Sequence, residues 1–246
     1  MIKIKKLKVG VKDKEILSGV SLDFELGKNY CLLGKNGSGK STLSSFLMGD
    51  TKYEYISGEV TIDGENLLDL DPEKRSVKGL FLSFQNVPEI KGIKLSEYLR
   101  TIYNIHLQNT SPSTMKLSPF IFKRFIKKFI DELHIDSSFL DRELNVGFSG
   151  GEKRKIEILQ MKLIGPKYII LDEIDSGLDL DAFRAVAELL KQLSGENNTL
   201  IIITHYFKIL DYIHVDKVYV MKDGKIVKKG GMSLAKKISI NGFKDL

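Results

Sequence analysis

The sequence predicts an α/β fold: a parallel sheet with helices on its faces, preceded by a stretch of strands and interrupted by a helical insertion. Three observations lead there. From Gly151 onward, helical spacing alternates with short apolar runs, the rhythm of strand–helix–strand units. Up to Gly27, apolar residues alternate with polar ones as in strands. From about Leu95 to Asn145 the pattern changes, and a 3.6-residue period dominates.

In chain order, Ile2, Ile4, Val9 and Val11 alternate with lysines, and Gly19–Gly27 alternates again before a Gly-Lys turn, so both read as strands. Tyr30-Cys31-Leu32-Leu33 is a short buried strand ending in glycine. A helix follows from Ser41, with Leu43, Phe46 and Leu47 at helical spacing. Glu59–Leu67 reads as a hairpin turning at Asp63-Gly64, and Gly79–Phe84 as a strand. Pro119–Leu133 sets Phe122, Phe125, Ile126, Phe129, Ile130 and Leu133 on one helical face, with Lys123, Arg124, Lys127 and Lys128 between them. Such a helix suits internal packing, partner docking or a membrane surface. After Gly151 come a helix to about Ile164, a strand at Tyr168–Leu171, a helix at roughly Leu180–Leu193 and a strand at Thr199–Thr204. A short helix at Tyr206–Tyr212 precedes strands Lys217–Met221 and Lys225–Lys228, joined by an Asp223-Gly224 turn. Ser111-Pro112-Ser113-Thr114 is the stretch expected to be floppy.

Composition closes several functional classes. With 42% apolar and 28% charged residues, the chain is globular rather than disordered. Its length suits one large domain or one domain carrying a sub-domain. Cys31 is the single cysteine, so no internal disulfide forms and no Cys/His cluster can cage zinc or an iron–sulfur cluster. It reads as core. The longest apolar runs, such as Tyr168–Leu171 and Leu200–Ile203, fall far short of the roughly 20 residues of a membrane helix. The start of the chain lacks a secretory apolar core, so a cytoplasmic location is expected, with any membrane role running through a partner. The net charge of +6 is spread along the chain as solvated lysines, and no nucleic acid is needed to explain it.

Two motifs carry chemistry. Gly34-Lys35-Asn36-Gly37-Ser38-Gly39-Lys40-Ser41 matches G-x-x-x-x-G-K-[ST] between a strand and a helix. The amide groups of such a loop, with the helix N-terminus behind it through Thr42, form a cradle for phosphates. Lys40 is placed to reach the β- and γ-phosphates of ATP, and the Ser41 hydroxyl to ligate Mg²⁺. The apolar strand Tyr168–Leu171 then delivers Asp172, positioned to hold the Mg²⁺ shell, and Glu173, positioned to polarise an attacking water. Together they point to a P-loop nucleoside triphosphatase.

Phe148-Ser149-Gly150-Gly151-Glu152 narrows the branch, because it resembles the L-S-G-G-Q signature of the ATP-binding cassette (ABC) ATPases, with Phe for Leu and Glu for Gln. The resemblance implies an ABC-type fold with a mixed, mostly parallel RecA-like core, an N-terminal antiparallel β sub-domain and a helical sub-domain. In this chain the core would be residues 1–90 and 160–246, and the helical sub-domain about 91–159. It also implies roles for further residues. Ser149, Gly150 and Gly151 would cap the γ-phosphate bound to an opposite subunit, and Gln85 would sense Mg²⁺ and the water. Asp179, in Ser176-Gly177-Leu178-Asp179, would lie across the dimer interface, and His205 would contact the γ-phosphate. The aromatic that usually stacks on adenine is replaced near Val11, leaving the base with apolar contact alone.

The segments Gly147–Met161, Leu171–Asp181, Thr204–Ile213 and Phe84–Gly92 are similar to the SufC family, the soluble ABC ATPases of iron–sulfur cluster assembly. That resemblance weakens over about 99–143. It implies SufB- and SufD-like scaffold partners and a transient homodimer closed around two ATP molecules. Gln85–Tyr98 is the candidate docking surface, or an ordinary surface loop. Arg154 is either a basic residue that holds Glu173 away from nucleotide or a solvent-facing helix charge. Two other readings share these motifs: the ATP-binding subunit of a membrane transporter, and a non-hydrolysing clamp gated by ATP.

Overall fold

The computed structural model describes residues 1–204 and 207–243 of the 246-residue chain. The first half contains β1 (Ile2–Val11), β2 (Lys14–Phe24), β3 (Tyr30–Leu33), α1 (Lys40–Met48), β4 (Glu54–Ile62), β5 (Glu65–Asn66), α2 (Pro72–Val77), β6 (Leu80–Ser83), β7 (Ile90–Lys94) and α3 (Leu95–Thr110). There follow α4 (Pro119–Glu132), β8 (Glu143–Leu144), α5 (Gly150–Ile164), β9 (Tyr168–Asp172), α6 (Leu180–Leu193), β10 (Thr199–Ile203), β11 (Lys217–Lys222), β12 (Lys225–Gly230) and α7 (Met232–Asn241). The chain divides into two compact units: Met1–Phe84 with Pro166–Asp175 and Lys191–Leu246, and Gln85–Gly165 with Ser176–Leu190.

The first unit is built on two sheets. The larger has the order β12-β11-β3-β10-β9-β6, in which every pairing is parallel except the edge pair β11–β12. Its central strands β3, β9 and β10 are buried at every position. That is why their sequences are continuous apolar runs instead of alternating ones. The second sheet is antiparallel, β2-β1-β4-β5. Ile2, Ile4, Leu7 and Val9 of β1 point inward, and the change of phase between Ile4 and Leu7 marks a bulge. There Lys6 takes a left-handed φ of 48°, and its amide donates to the Ser21 hydroxyl at 2.9 Å. Phe24, Tyr30 and Tyr219 pack together, with Tyr30 and Tyr219 stacked at 6.0 Å. Both Asp-Gly turns form where expected. Asp63-Gly64 and Asp223-Gly224 have positive φ at both residues, which suits the tight turn of a hairpin.

The second unit is helical apart from the short pair β7–β8. Ser118 caps α4 and Pro119 opens it. The helix buries Phe122, Ile126 and Ile130, and Tyr103 of α3 meets Phe122 and Phe125 at 5.9 and 4.8 Å. Internal packing therefore occupies the apolar face of α4, while its lysines and Arg124 stay exposed. The Ser111–Thr114 stretch is a defined turn instead of a floppy one. The Thr114 amide donates to the Ser111 carbonyl at 2.9 Å, and the buried Asn104 amide clamps Leu117 from both sides. Helices α2 and α7 were not expected, and a 3₁₀ turn at Phe207–Asp211 stands where a short helix was expected.

Candidate active site

In the first unit the glycine-rich loop leaves β3 at Leu33 and enters α1 at Lys40. The Ser38 amide bonds to the Lys35 carbonyl at 3.1 Å, and the β11–β12 turn braces the loop through Gly224 N–H to the Ser38 carbonyl at 3.0 Å. Gly39 ends the loop at φ 107°, a conformation open to glycine, and no side chain caps the helix behind it. The Ser38 hydroxyl is buried with no hydrogen-bond partner among the described residues. Such a loop is a concave set of donors awaiting an anion. Beside it lies a cleft of about 250 Å³ lined by Lys35–Ser38, Val220–Asp223 and Phe243.

Lys40 is buried, with its ammonium donating to the carbonyls of Gly34 (2.9 Å) and Lys35 (3.1 Å). Burial lowers its pKa, and the charges of Glu173 and Asp172 act the other way. Asp172, the last residue of β9, accepts from the Ser44 hydroxyl through Oδ2 at 2.9 Å. Its Oδ1 is buried with no partner among the described residues. Burial raises the pKa of this carboxyl, the nearby Ser41 and Ser44 hydroxyls lower it, and the Glu173 charge pushes it up again. An orphaned buried carboxylate oxygen beside a serine hydroxyl suits a hard divalent cation.

Glu173 is buried at φ 50°, a left-handed conformation a non-glycine residue adopts at a cost of about 1–2 kcal/mol. Its amide is fixed to the Ile203 carbonyl at 2.8 Å, and the Thr204 hydroxyl donates to Asp175 Oδ2 at 2.9 Å. The ends of β9 and β10 are thus laced together next to Glu173. His205 follows Thr204 and lies outside the described residues.

The remaining expected residues belong to the second unit. Ser149 is the N-cap of α5 and forms a reciprocal capping box with Glu152: Ser149 Oγ accepts from the Glu152 amide, and Glu152 Oε2 accepts from the Ser149 amide at 2.7 Å. Gly150 and Gly151 allow close approach, because a Cβ would meet the Gly177 carbonyl at 3.2 Å and Ala182 Cβ at 2.9 Å, respectively. Asp179 caps α6, accepting from the Ala182 amide at 2.8 Å. Gln85 is exposed, and its carbonyl accepts from Arg154 Nη2 at 3.0 Å.

The family model described as ABC transporter matches residues 17–176, more than half of the chain and inclusive of both the phosphate loop and the Ser149 helix. The chain belongs to this ABC family. It is 43% identical over 243 residues to a protein of Escherichia coli (strain K12) named probable ATP-dependent transporter SufC, spanning 99% of this chain and 97% of that one. It is 42% identical over 231 residues to the iron-sulfur cluster assembly protein SufC of Plasmodium berghei (strain Anka), covering 94% of this chain and 62% of that one. Among solved structures, a dimeric ATP-binding cassette in a post-hydrolysis state with ADP and Pi superposes with a TM-score of 0.76 at 22% identity, covering 94% of this chain and 99% of that one. The expected ABC cassette fold is therefore present, with its mixed sheet, antiparallel β sheet and helical part.

Both residues that depart from the ABC signature make local contacts. Phe148 replaces leucine and stacks on Phe139 at 4.6 Å, with the Arg142 guanidinium over both rings at 4.4 and 4.8 Å. Glu152 replaces glutamine and completes the capping box. Val11 ends β1 opposite Lys14, at the β1–β2 turn. Ser44, Thr204, Asp175 and Glu157 were missed from the sequence. Ser44 was detectable: it lies one turn after Ser41 on the same helix, so it shares the face that meets Asp172. Cys31 is core, and burial pushes its thiol pKa up, with the Asp175 charge adding to the shift.

Proposed function

We propose that this ABC ATPase hydrolyses ATP to ADP and phosphate in a homodimer, and that its closure drives a conformational change in a SufB/SufD-type scaffold during iron–sulfur cluster assembly. The observation that carries this reading is identity of 42–43% with SufC proteins over 94–99% of the chain, against 22% with the dimeric cassette. On this reading the protein works in the cytoplasm, and Gln85–Tyr98, with Ile90 and Ile93 exposed, docks on the scaffold.

In each composite site, Gly34–Thr42 of one copy hold the triphosphate, and Lys40 leaves the loop carbonyls to meet the β- and γ-phosphates. Ser41, Asp172 and Gln85 hold Mg²⁺, which when bound neutralises charge on the β- and γ-phosphates. Glu173 orients the water that attacks the γ-phosphorus and takes up its proton, and His205 contacts the γ-phosphate. Ser149, Gly150 and Gly151 of the second copy present the α5 N-terminus to the same phosphate, with Asp179 beside them. Positioning and charge neutralisation carry the reaction.

Purification of the tagged chain from its native cell, with mass spectrometry of bound proteins, tests the partner assignment. A soluble complex with SufB- or SufD-like proteins is expected. The name of the Escherichia coli relative supports a second reading, an ATP-binding subunit of a transporter. No helix among the described residues is long and apolar enough to cross a membrane, so that role would need a membrane partner, and recovery with integral membrane proteins would favour it.

A further inference from the structure

Within the second unit, the segment that begins at Gln85 is stapled at two points to the signature helix and at a third to the loop before it. The Arg154 guanidinium donates to the Gln85 carbonyl at 3.0 Å. The Asn145 amide, four residues before the Ser149 cap, donates to the Pro88 carbonyl at 2.9 Å. The Lys153 ammonium pairs with Glu89 at 2.8 Å. The first staple is unusual in its burial. Arg154 and its ion-pair partner Glu157, 2.6 Å apart, have side chains only 3% and 5% exposed.

A buried ion pair of this kind is poor value for stability, since well-packed apolar residues of similar volume do as well or better. What apolar residues cannot supply is a donor to a neighbouring carbonyl. Glu157 takes one arm of the guanidinium and fixes its plane, and another arm is then aimed at Gln85. Arg154 and Ser149 lie on the same helix, whose first turn is locked by the Ser149–Glu152 box. A fixed distance therefore separates the backbone of Gln85 from the N-terminus that faces the partner's phosphate.

We infer that Arg154, oriented by Glu157, is a positioning residue that makes the Gln85–Glu89 segment and the Ser149–Gly151 signature move as one body, so that a partner docking on the segment places the signature. This rests on the function proposed above. The burial of Arg154 also sets aside the expectation of a solvent-facing helix charge.

The test compares wild type with Arg154→Met/Glu157→Leu, which replaces the pair by apolar side chains, and with Arg154→Lys, which keeps the charge pair but lacks the second arm. Hydrogen exchange on the nucleotide-free chain should be about tenfold or more faster in both variants at the hydrogen-bonded amides that follow the staples, Gly92 and Leu95, and unchanged at residues 30–48. ATP turnover should show kcat reduced about tenfold or more, with KM for ATP within about twofold of wild type. Unchanged exchange at Gly92 and Leu95 in the folded double variant overturns the staple, and unchanged kcat overturns its positioning role. If wild type itself does not hydrolyse ATP, the proposed function fails, and the exchange result still decides whether the staple exists.

Discussion

The two helix ends that the proposed function turns toward phosphate are built in opposite ways. Helix α1 begins behind Gly39 with no capping side chain, a buried Ser38 hydroxyl lacks a partner, and Asp172 keeps an orphaned oxygen nearby. Helix α5 begins behind Ser149 with a complete capping box, and Gly150 and Gly151 are packed against Gly177 and Ala182. The first end leaves its donors and acceptors unsatisfied, so a bound nucleotide supplies what the fold lacks. The second pairs two of its amides, those of Ser149 and Glu152, within the capping box. On the proposed function, the loop at Gly34–Ser41 binds nucleotide in a single chain. The signature engages only when a second copy brings phosphate to it.

The largest expected effect separates binding from chemistry at the first site. Glu173→Gln should lower kcat by about 10²–10³-fold while ATP affinity of the single chain is kept. Phosphate release and a fluorescent nucleotide titration check this, and equal turnover would remove Glu173 as the base. Ser149→Ala acts at the second site. It should cost about 1 kcal/mol of stability through the lost cap and abolish ATP-driven association, with nucleotide binding by the single chain unchanged. Calorimetry and light scattering measure both; weaker binding by the single chain would break the contrast between the two ends.

Asp172 gives a pH signature. Its carboxyl has a raised folded pKa, so the stability it contributes is fully present below the unfolded value and lost as pH rises through the folded value. Asp172→Asn should therefore raise the Tm of nucleotide-free protein by a few degrees, about 2–4 °C for each kcal/mol, and more at pH 7.5 than at pH 4. The same variant should lose stabilisation by Mg²⁺ and ATP. The smallest effect belongs to Glu152→Gln, which keeps the capping box and removes a charge from the phosphate-facing end. Stability should shift by less than about 0.5 kcal/mol, and ATP-driven association should tighten modestly.

The first site was almost fully legible in the sequence. Its loop, strand and helix lie within Tyr30–Met48, and Asp172 and Glu173 close an apolar run, so local pattern alone placed them. The second was legible as a motif but not as a structure. That Asp179 caps α6 follows from its place three residues before Ala182, a signal available but not used. The β7–β8 pair joins Ile90–Lys94 to Glu143–Leu144, a non-local pairing that no window of residues announces. Arg154 shows the same limit. Its burial was not announced, and neither was Glu157, one turn along the same helix, which pairs with it at 2.6 Å.

The contrast between an uncapped and a capped helix end makes one claim of the proposed function testable without any partner protein: a single chain holds nucleotide but carries only half of each catalytic site. ATP turnover per chain, measured over an approximately hundredfold range of protein concentration at saturating nucleotide and Mg²⁺, tests it directly. The rate per chain should rise with concentration until dimers predominate, and the midpoint should shift to lower concentration when a scaffold complex is added. A rate per chain that is fast and constant across the whole range would contradict the account.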